Sequence, residues 1–370
     1  MKVLVTGSRG FVGQNLCTEL ARRKGVELAE YDVDDPLKTL DDSLADADVV
    51  FHLAGVNRPM SPDEFRAVNV DLTEEVCRKL AALGRWPKVI LASSIQAAFD
   101  NPYGVSKRTA EEALERYAQD GGAPAVVYRL KNLFGKWCRP NYNSVTATFC
   151  HNIANDIPIQ ISDSANLVDL TYIDEVVSAF VGELDDRTPG IRFAAPLPSR
   201  QITLGDLASL IGSFRDSRDS LLLPDFSQSF VRQLYATYLS YLPSDRFAYS
   251  LNIKTDQRGS LAECIKQPAF GLFFVSHTKP GITRGNHYHH TKTEKFMVVS
   301  GEAIIRFRHI LSSQVTEYRV SGDQYQVVDI PPGYTHSIEN VGDTDLVTLF
   351  WACEVFDPSR PDTIFLPVSK

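Results

Sequence analysis

Lys2-Val3-Leu4-Val5-Thr6-Gly7-Ser8-Arg9-Gly10-Phe11-Val12-Gly13 sets a short apolar run directly before three glycines spaced three apart. The β-branched and leucine residues predict a strand over 3–6, and Leu16 and Leu20 beyond the last glycine carry a helical spacing. A strand that enters a helix through a glycine-rich turn lets backbone N–H groups approach a pyrophosphate at the helix N-terminus. The stretch therefore reads as the first βα unit of a dinucleotide-binding sheet. Gly7, Arg9, Gly10, Phe11, Val12 and Gly13 are its candidate cofactor contacts.

Outward from this unit the same alternation continues. Further strands are expected at 49–53, 89–92 and 125–129, with amphipathic stretches between them. Ser61-Pro62-Asp63-Glu64 reads as a capping box with proline at the first helical position, and Asn101-Pro102 opens a helix running to Gly121-Gly122. Strand–helix alternation implies an α/β, doubly wound parallel sheet covered on both faces. Residues 181–243 are mixed, with helical pieces around 204–214 and 226–241. After Pro243 the texture turns β-rich, at 270–276, 296–299, 303–308, 325–330 and 346–351, the pattern of an all-β sandwich or barrel. Two domains are thus expected, 1–243 and 244–370.

Composition narrows the class. The 370 residues carry a net charge of −8 and no basic tract, which argues against a nucleic-acid or membrane-surface partner. The six cysteines are scattered without a CxxC pair, as expected of a reducing compartment. The start shows no signal-peptide pattern and no apolar run approaches membrane-span length, so the expected location is cytoplasmic.

Tyr103 and Lys107 lie four apart, on one face of the helix that Asn101 opens. A nearby ammonium is expected to lower the tyrosine pKa, and the phenol can protonate an oxygen that gains charge. Ser93-Ser94 ends the preceding strand, where a hydroxyl can meet the same oxygen. Tyr288 and Lys292 share the spacing and read as surface residues.

With His52-Leu53-Ala54-Gly55 and Asn69-Val70, these pieces resemble the extended short-chain dehydrogenase/reductase family over about residues 1–240. The resemblance implies Ser94, Tyr103, Lys107 and Asn69 as the catalytic set, with Lys107 also at the nicotinamide ribose. It places Leu53 and Ala54 against the cofactor and Asn132 at a nucleotide-sugar pocket. Arg9 between the glycines suits the 2′-phosphate of NADPH, the favoured cofactor. The acidic Asp32, Asp34 and Asp35, with Asp32 placed to hold a ribose, leave NADH possible.

The β-rich part concentrates four of the eight histidines in two segments, 281–301 and 331–340. His287 and His289, two apart on a strand, share a face, and Glu294 and His336 can complete a three-nitrogen, one-oxygen set. Zn, Fe, Mn and Ni all accept such donors. His151, His277 and His309 read as structural. The segments resemble both motifs of the cupin (jelly-roll) family, the second with its leading glycine displaced to Gly322. Asp256-Gln257-Arg258-Gly259, Glu263 and Arg284-Gly285-Asn286-His287 are also similar to sugar-nucleotide 3,5-epimerase cupins, which implies Arg284 in substrate binding. There His287 would be the base, a role it cannot combine with metal ligation through the same lone pair.

Taken together, with residues 135–144 and 238–243, the chain resembles the two-domain capsular polysaccharide enzymes that make UDP-2-acetamido-2,6-dideoxy-L-talose. That resemblance implies C3 epimerisation of a UDP-4-keto-6-deoxy-N-acetylhexosamine in the cupin, C4 reduction in the first domain, zinc in the cupin and a homodimer. Two alternatives remain at this point: a single-activity 4-keto reductase or epimerase with a structural cupin, and a non-enzymatic cofactor sensor.

Overall fold

The computed structural model describes residues 1–61 and 63–369. The chain forms two compact units, Met1–Gly212 with Arg232–Pro243, and Ser213–Val231 with Ser244 onward.

The first unit opens with β1 (Lys2–Thr6), α1 (Phe11–Leu20), β2 (Glu27–Tyr31), α2 (Leu37–Asp46) and β3 (Val49–His52). A π-helical stretch, Phe65–Asp71, runs into α3 (Leu72–Ala82), and β4 (Lys88–Ser94), α4 (Pro102–Gly121) and β5 (Pro124–Leu130) follow. Next come β6 (Asn132–Phe134), α5 (Val145–Ala154), β7 (Leu167–Tyr172), α6 (Ile173–Gly182), β8 (Gly190–Phe193) and β9 (Arg200–Thr203). Helices α7 (Leu204–Ser220) and α8 (Ser229–Leu239) complete the series before the β-rich part.

Strands β2-β1-β3-β4-β5-β8 form one sheet in which every neighbouring pair is parallel. Its inner strands β1, β3, β4 and β5 are mostly apolar because both of their faces are covered. Leu4, Val50, Leu91 and Val127 pack with Leu40, Leu44, Leu80 and Leu114 of α2, α3 and α4. Their neighbours in sequence, Val3, Val5, Phe51 and Val126, face Leu16, Leu20, Val176 and Phe180 of α1 and α6. The chain steps from β1 out to β2 and returns on the other side as β3. That reversal opens a crevice at the carboxyl ends of β1 and β3.

Helix α4 starts and stops where its punctuation predicts. Asn101 Oδ1 accepts the Gly104 N–H at 2.8 Å, Pro102 takes the first turn, and Gly122 ends the helix at φ 62°. Of the Ser61–Glu64 box, Glu64 accepts the N–H of Met60 at 3.0 Å rather than that of Ser61, and Pro62 lies outside the described residues.

The β-rich part contains β10 (Ile253–Asp256), β11 (Gly259–Gln267), β12 (Gly271–Thr278), β13 (Thr283–Tyr288), β14 (Glu294–Ser300) and β15 (Glu302–His309). It ends with β16 (Val315–Ser321), β17 (Val327–Ile330), β18 (Tyr334–Asn340), β19 (Leu346–Ala352) and β20 (Ile364–Phe365). These form two sheets, β10-β11-β12-β19-β14-β17 and β16-β15-β18-β13-β20. Phe296, Val298 and Phe350 of the first meet Ile305, Phe307 and Ile338 of the second in one apolar core. No described helix is long and apolar enough to cross a membrane.

Candidate active site and metal centre

The glycines after β1 are required by contact. Gly7 has φ +70°, and a Cβ on it would stand 2.7 Å from the Ala54 nitrogen; one on Gly13 would stand 2.1 Å from the Gly7 oxygen. The turn is thus pressed against Leu53-Ala54 at the crevice. Helix α1 has no side-chain cap and no acidic residue in its first turn, so the N–H groups around Phe11 and Val12 can face an anion. Asp32 Oδ2 accepts the Arg9 N–H at 2.7 Å, while the Arg9 guanidinium pairs with Asp35 at 2.6 Å. These residues fit a dinucleotide.

Beyond β4, Ser94 caps the short turn at Ile95–Ala98. A Cβ on Gly104 would lie 2.2 Å from the Gln96 oxygen, so α4 begins directly against that turn. This apposition sets the Tyr103 hydroxyl near Ser94, which favours its ionised form. Here the structure corrects an expectation. Burial pushes the Tyr103 pKa up, opposed only by Ser94, so the phenol is held protonated instead of being turned toward phenolate.

Lys107, only 6% exposed, donates from Nζ to the Ala92 oxygen at 2.9 Å and stands beside Gly55. Burial lowers its pKa to about 8, with Glu111 acting the other way. Asn69 is buried on the π-helical stretch, where Nδ2 donates to the Val56 oxygen and to Ser106 Oγ, both at 2.9 Å. Its Oδ1 accepts the Val56 N–H at 2.8 Å, so both polar atoms of Asn69 are engaged by the protein. Asn132 is exposed on β6. Its neighbour Lys131 lines a cavity of about 310 Å³ with Ile95, Arg129, Thr171 and Phe193.

Sequence reasoning passed over Glu111. One helical turn beyond Lys107, it accepts Ser93 Oγ at 2.5 Å and a two-pronged contact from Arg129 at 2.9 and 2.5 Å. Its i+4 spacing from Lys107 was the available signal.

In the second unit, His287, His289, Glu294 and His336 bring one ligand atom each to within 4.8 Å of one another. Strand β14 supplies Glu294 from one sheet, while β13 and β18 supply His287 and His336, cross-strand partners in the other. His289 Nε2 and His336 Nε2 lie 3.5 and 3.6 Å from Glu294 Oε2. Both nitrogens are buried without a hydrogen-bond partner, an arrangement native interiors rarely tolerate. Three imidazoles and a carboxylate fit a divalent metal. Burial, with His336 and His289 nearby, lowers the His287 pKa to about 4. Burial alone would raise the Glu294 carboxyl, but its contacts with His289 and His336 hold it below its ordinary range.

A bulge between Gly285 and His287, with Asn286 at φ 59°, sets the strand geometry. Arg284 pairs with Ile338 and His287 with His336, so the bulge puts Arg284 and His287 on one face. Arg284 Nε donates to Thr278 Oγ1 at 2.9 Å, and burial lowers its pKa. Tyr288 and Lys292 are half-buried, not surface residues as their spacing in a β-rich region implied. Lys292 Nζ lies 3.4 Å from Glu294 Oε1, because the turn before β14 folds under residue 362. A cavity of about 680 Å³ opens beside Glu294 and Lys292, lined also by Glu263 and Phe274.

The chain matches two families. Residues 3–191 match the NAD dependent epimerase/dehydratase family, and residues 254–364 match the polysaccharide biosynthesis C-terminal domain. A UDP-2-acetamido-2,6-beta-L-arabino-hexul-4-ose reductase of Pseudomonas aeruginosa is 46% identical, covering 100% of both chains. The crystal structure of the capsular polysaccharide assembling protein CapF from Staphylococcus aureus superposes with TM-score 0.92 at 46% identity, again over 100% of both chains. The NAD complex of a Bacillus cereus UDP-glucuronic acid 4-epimerase shares the fold at TM-score 0.55 and 20% identity, covering 65% of this chain and 98% of its own. With half the chain matched, and a relative aligned end to end, the chain belongs to the NAD dependent epimerase/dehydratase family.

Proposed function

We propose that this chain is a two-step nucleotide-sugar enzyme acting as a homodimer. Its second unit, a cupin, epimerises C3 of a UDP-4-keto-6-deoxy-N-acetylhexosamine. Its first unit then reduces the C4 ketone with NADPH to give UDP-2-acetamido-2,6-dideoxy-L-talose for capsule or O-antigen synthesis. The observation that carries the reading is the end-to-end similarity to a 4-ketose reductase, in a chain with Tyr103 near Ser94 and Lys107 buried one turn further along the same helix.

In the reduction, the bound nicotinamide supplies the hydride. Tyr103, kept protonated by burial, donates its proton to the C4 oxygen as that oxygen gains charge, while Ser94 holds the same oxygen by a hydrogen bond. Lys107 reaches the ribose side of the site. The Gly7–Gly13 turn and α1 receive the pyrophosphate, and Asn132 meets the nucleotide sugar. For NADPH, Arg9 must exchange Asp35 for the 2′-phosphate; with NADH, Asp32 takes the ribose hydroxyls instead.

In the cupin, His287, His289, Glu294 and His336 would hold zinc. Zinc bound there supplies Lewis-acid stabilisation of negative charge. The C3 proton is acidic only while the neighbouring ketone survives, so epimerisation precedes reduction. Arg284, on the face of His287, binds the substrate. A second reading is favoured by the name of the Pseudomonas aeruginosa relative, which is that of a reductase alone: the cupin is structural and only C4 reduction occurs.

The experiment is NMR of the product made from the UDP-4-keto-6-deoxy sugar with NADPH in deuterated water. Deuterium at C3 with a reduced C4 supports two steps. Reduction without deuterium leaves the reductase-only reading, and no reduction removes both.

A further inference from the structure

We propose that the C-terminal segment 362–368 is a latch on the metal centre, whose hydrogen bonds set how tightly His287, His289, Glu294 and His336 retain an ion. The inference rests on reading those four residues as metal ligands.

Asp362 acts twice. Its backbone oxygen accepts the His289 Nδ1 proton, which fixes that ring with Nε2 toward Glu294. Its carboxylate accepts the N–H groups of His290, Thr291 and Lys292 at 2.8, 2.8 and 2.9 Å. That carboxylate thereby pins the whole turn between two of the ligands, His289 and Glu294. Next, Thr363 Oγ1 accepts from Lys292 Nζ at 3.3 Å, and the same ammonium touches Glu294.

The remaining ligands are gripped through the strands. Phe365 of β20 pairs with His287, and the Leu366 N–H donates to the Asn286 oxygen at 2.9 Å, at the bulge. Thr335, next to His336, donates its hydroxyl to the Leu366 oxygen. Beyond these contacts the segment is anchored by Arg308, which is 4% exposed. Its Nε donates to the Val368 oxygen at 2.8 Å and its Nη2 to the Pro367 oxygen at 2.7 Å.

Each ligand therefore meets the segment directly or through an adjacent residue. Groups that orient a metal-bound imidazole or carboxylate commonly contribute 10–100-fold in metal affinity. The hold is mostly polar: Val368 is buried, yet Phe365 is 76% exposed. A segment with few apolar contacts can open without unfolding the sheets behind it. Opening frees the His289 ring and the 290–292 turn together, and the ion leaves.

The test uses the full-length protein loaded with zinc, with release timed by transfer to a chromogenic chelator. Asp362→Ala and Arg308→Leu should lower zinc affinity about 10–100-fold and speed release, with Asp362→Asn falling between them and wild type. The metal-free forms should differ little in unfolding temperature while the stabilisation given by zinc shrinks. Equal losses with and without zinc would mean a purely structural role. If Arg308→Leu does not fold, the two Asp362 variants decide. Wild type that binds zinc, with unchanged release from folded Asp362→Ala, overturns the latch and leaves the ligand assignment standing. Wild type that binds no zinc overturns both.

Discussion

Lys107 should trade stability for function, and the size of the trade follows from its burial. Lys107→Met keeps the aliphatic stem and removes the ammonium that donates to the Ala92 oxygen. In the fold, burial brings the Lys107 pKa from its ordinary 10.5 to about 8. Between those two values the unfolded chain binds a proton that the folded chain does not, so wild-type stability must rise with pH across that window. At 1.36 kcal/mol per pH unit the rise amounts to about 3 kcal/mol. Below about pH 8 the charged amine is buried at its full cost, and loss of its hydrogen bond to the Ala92 oxygen offsets part of the variant's gain. The difference between wild type and Lys107→Met removes the titration of all other groups. Urea unfolding of both, from pH 7 to 10.5, should show wild type gaining about 3 kcal/mol on the variant. Ketone reduction by the variant should be lost throughout. A gap that stays flat with pH would refute the argument, because it would mean the ammonium is solvated or already paired in the fold.

Tyr103→Phe removes the proton donor while keeping the ring, so NADPH oxidation with the keto sugar should fall by roughly 10²–10⁴ with cofactor affinity retained. Near-normal turnover would exclude Tyr103 from the chemistry. Arg9→Ala should weaken NADPH binding by about 1.5–3 kcal/mol and leave NADH binding nearly constant in titration calorimetry. Equal losses would show that Arg9 acts only through Asp35. Gly13→Ala sets a methyl 2.1 Å from the Gly7 oxygen and should cost about 1–3 kcal/mol of stability together with cofactor binding. A variant that binds NADPH normally would disprove that packing. Chelation or His336→Ala should lower the melting temperature of the β-rich unit and abolish deuterium exchange at C3, with part of the reduction surviving. Exchange that persists in metal-free protein would favour His287 as a free base.

Local patterns carried much of the architecture. The apolar run at residues 3–6, the Asn101 cap and the Gly122 stop rest on interactions between near neighbours, and each is legible without a fold, as is the spacing of the glycines. The convergence of His287, His289, Glu294 and His336 was legible too, because a strand's alternation and two short motifs fix which residues can meet. The tertiary structure decided what surrounds them. Whether Tyr103 is pushed toward phenolate or held protonated depends on burial, and burial won. The bulge at Asn286 decides that Arg284 shares a face with His287, and only the pairing of β13 with β18 reveals it. Asp35 on Arg9 and Glu111 on Ser93 and Arg129 come from neighbouring elements. Asp362 reaches His289 across 73 positions through a backbone oxygen, a group every residue carries and no motif can mark. Periodicity and caps encode which residues form an element. Protonation and ligand orientation follow from desolvation and from contacts between distant segments, which exist only once the chain has folded.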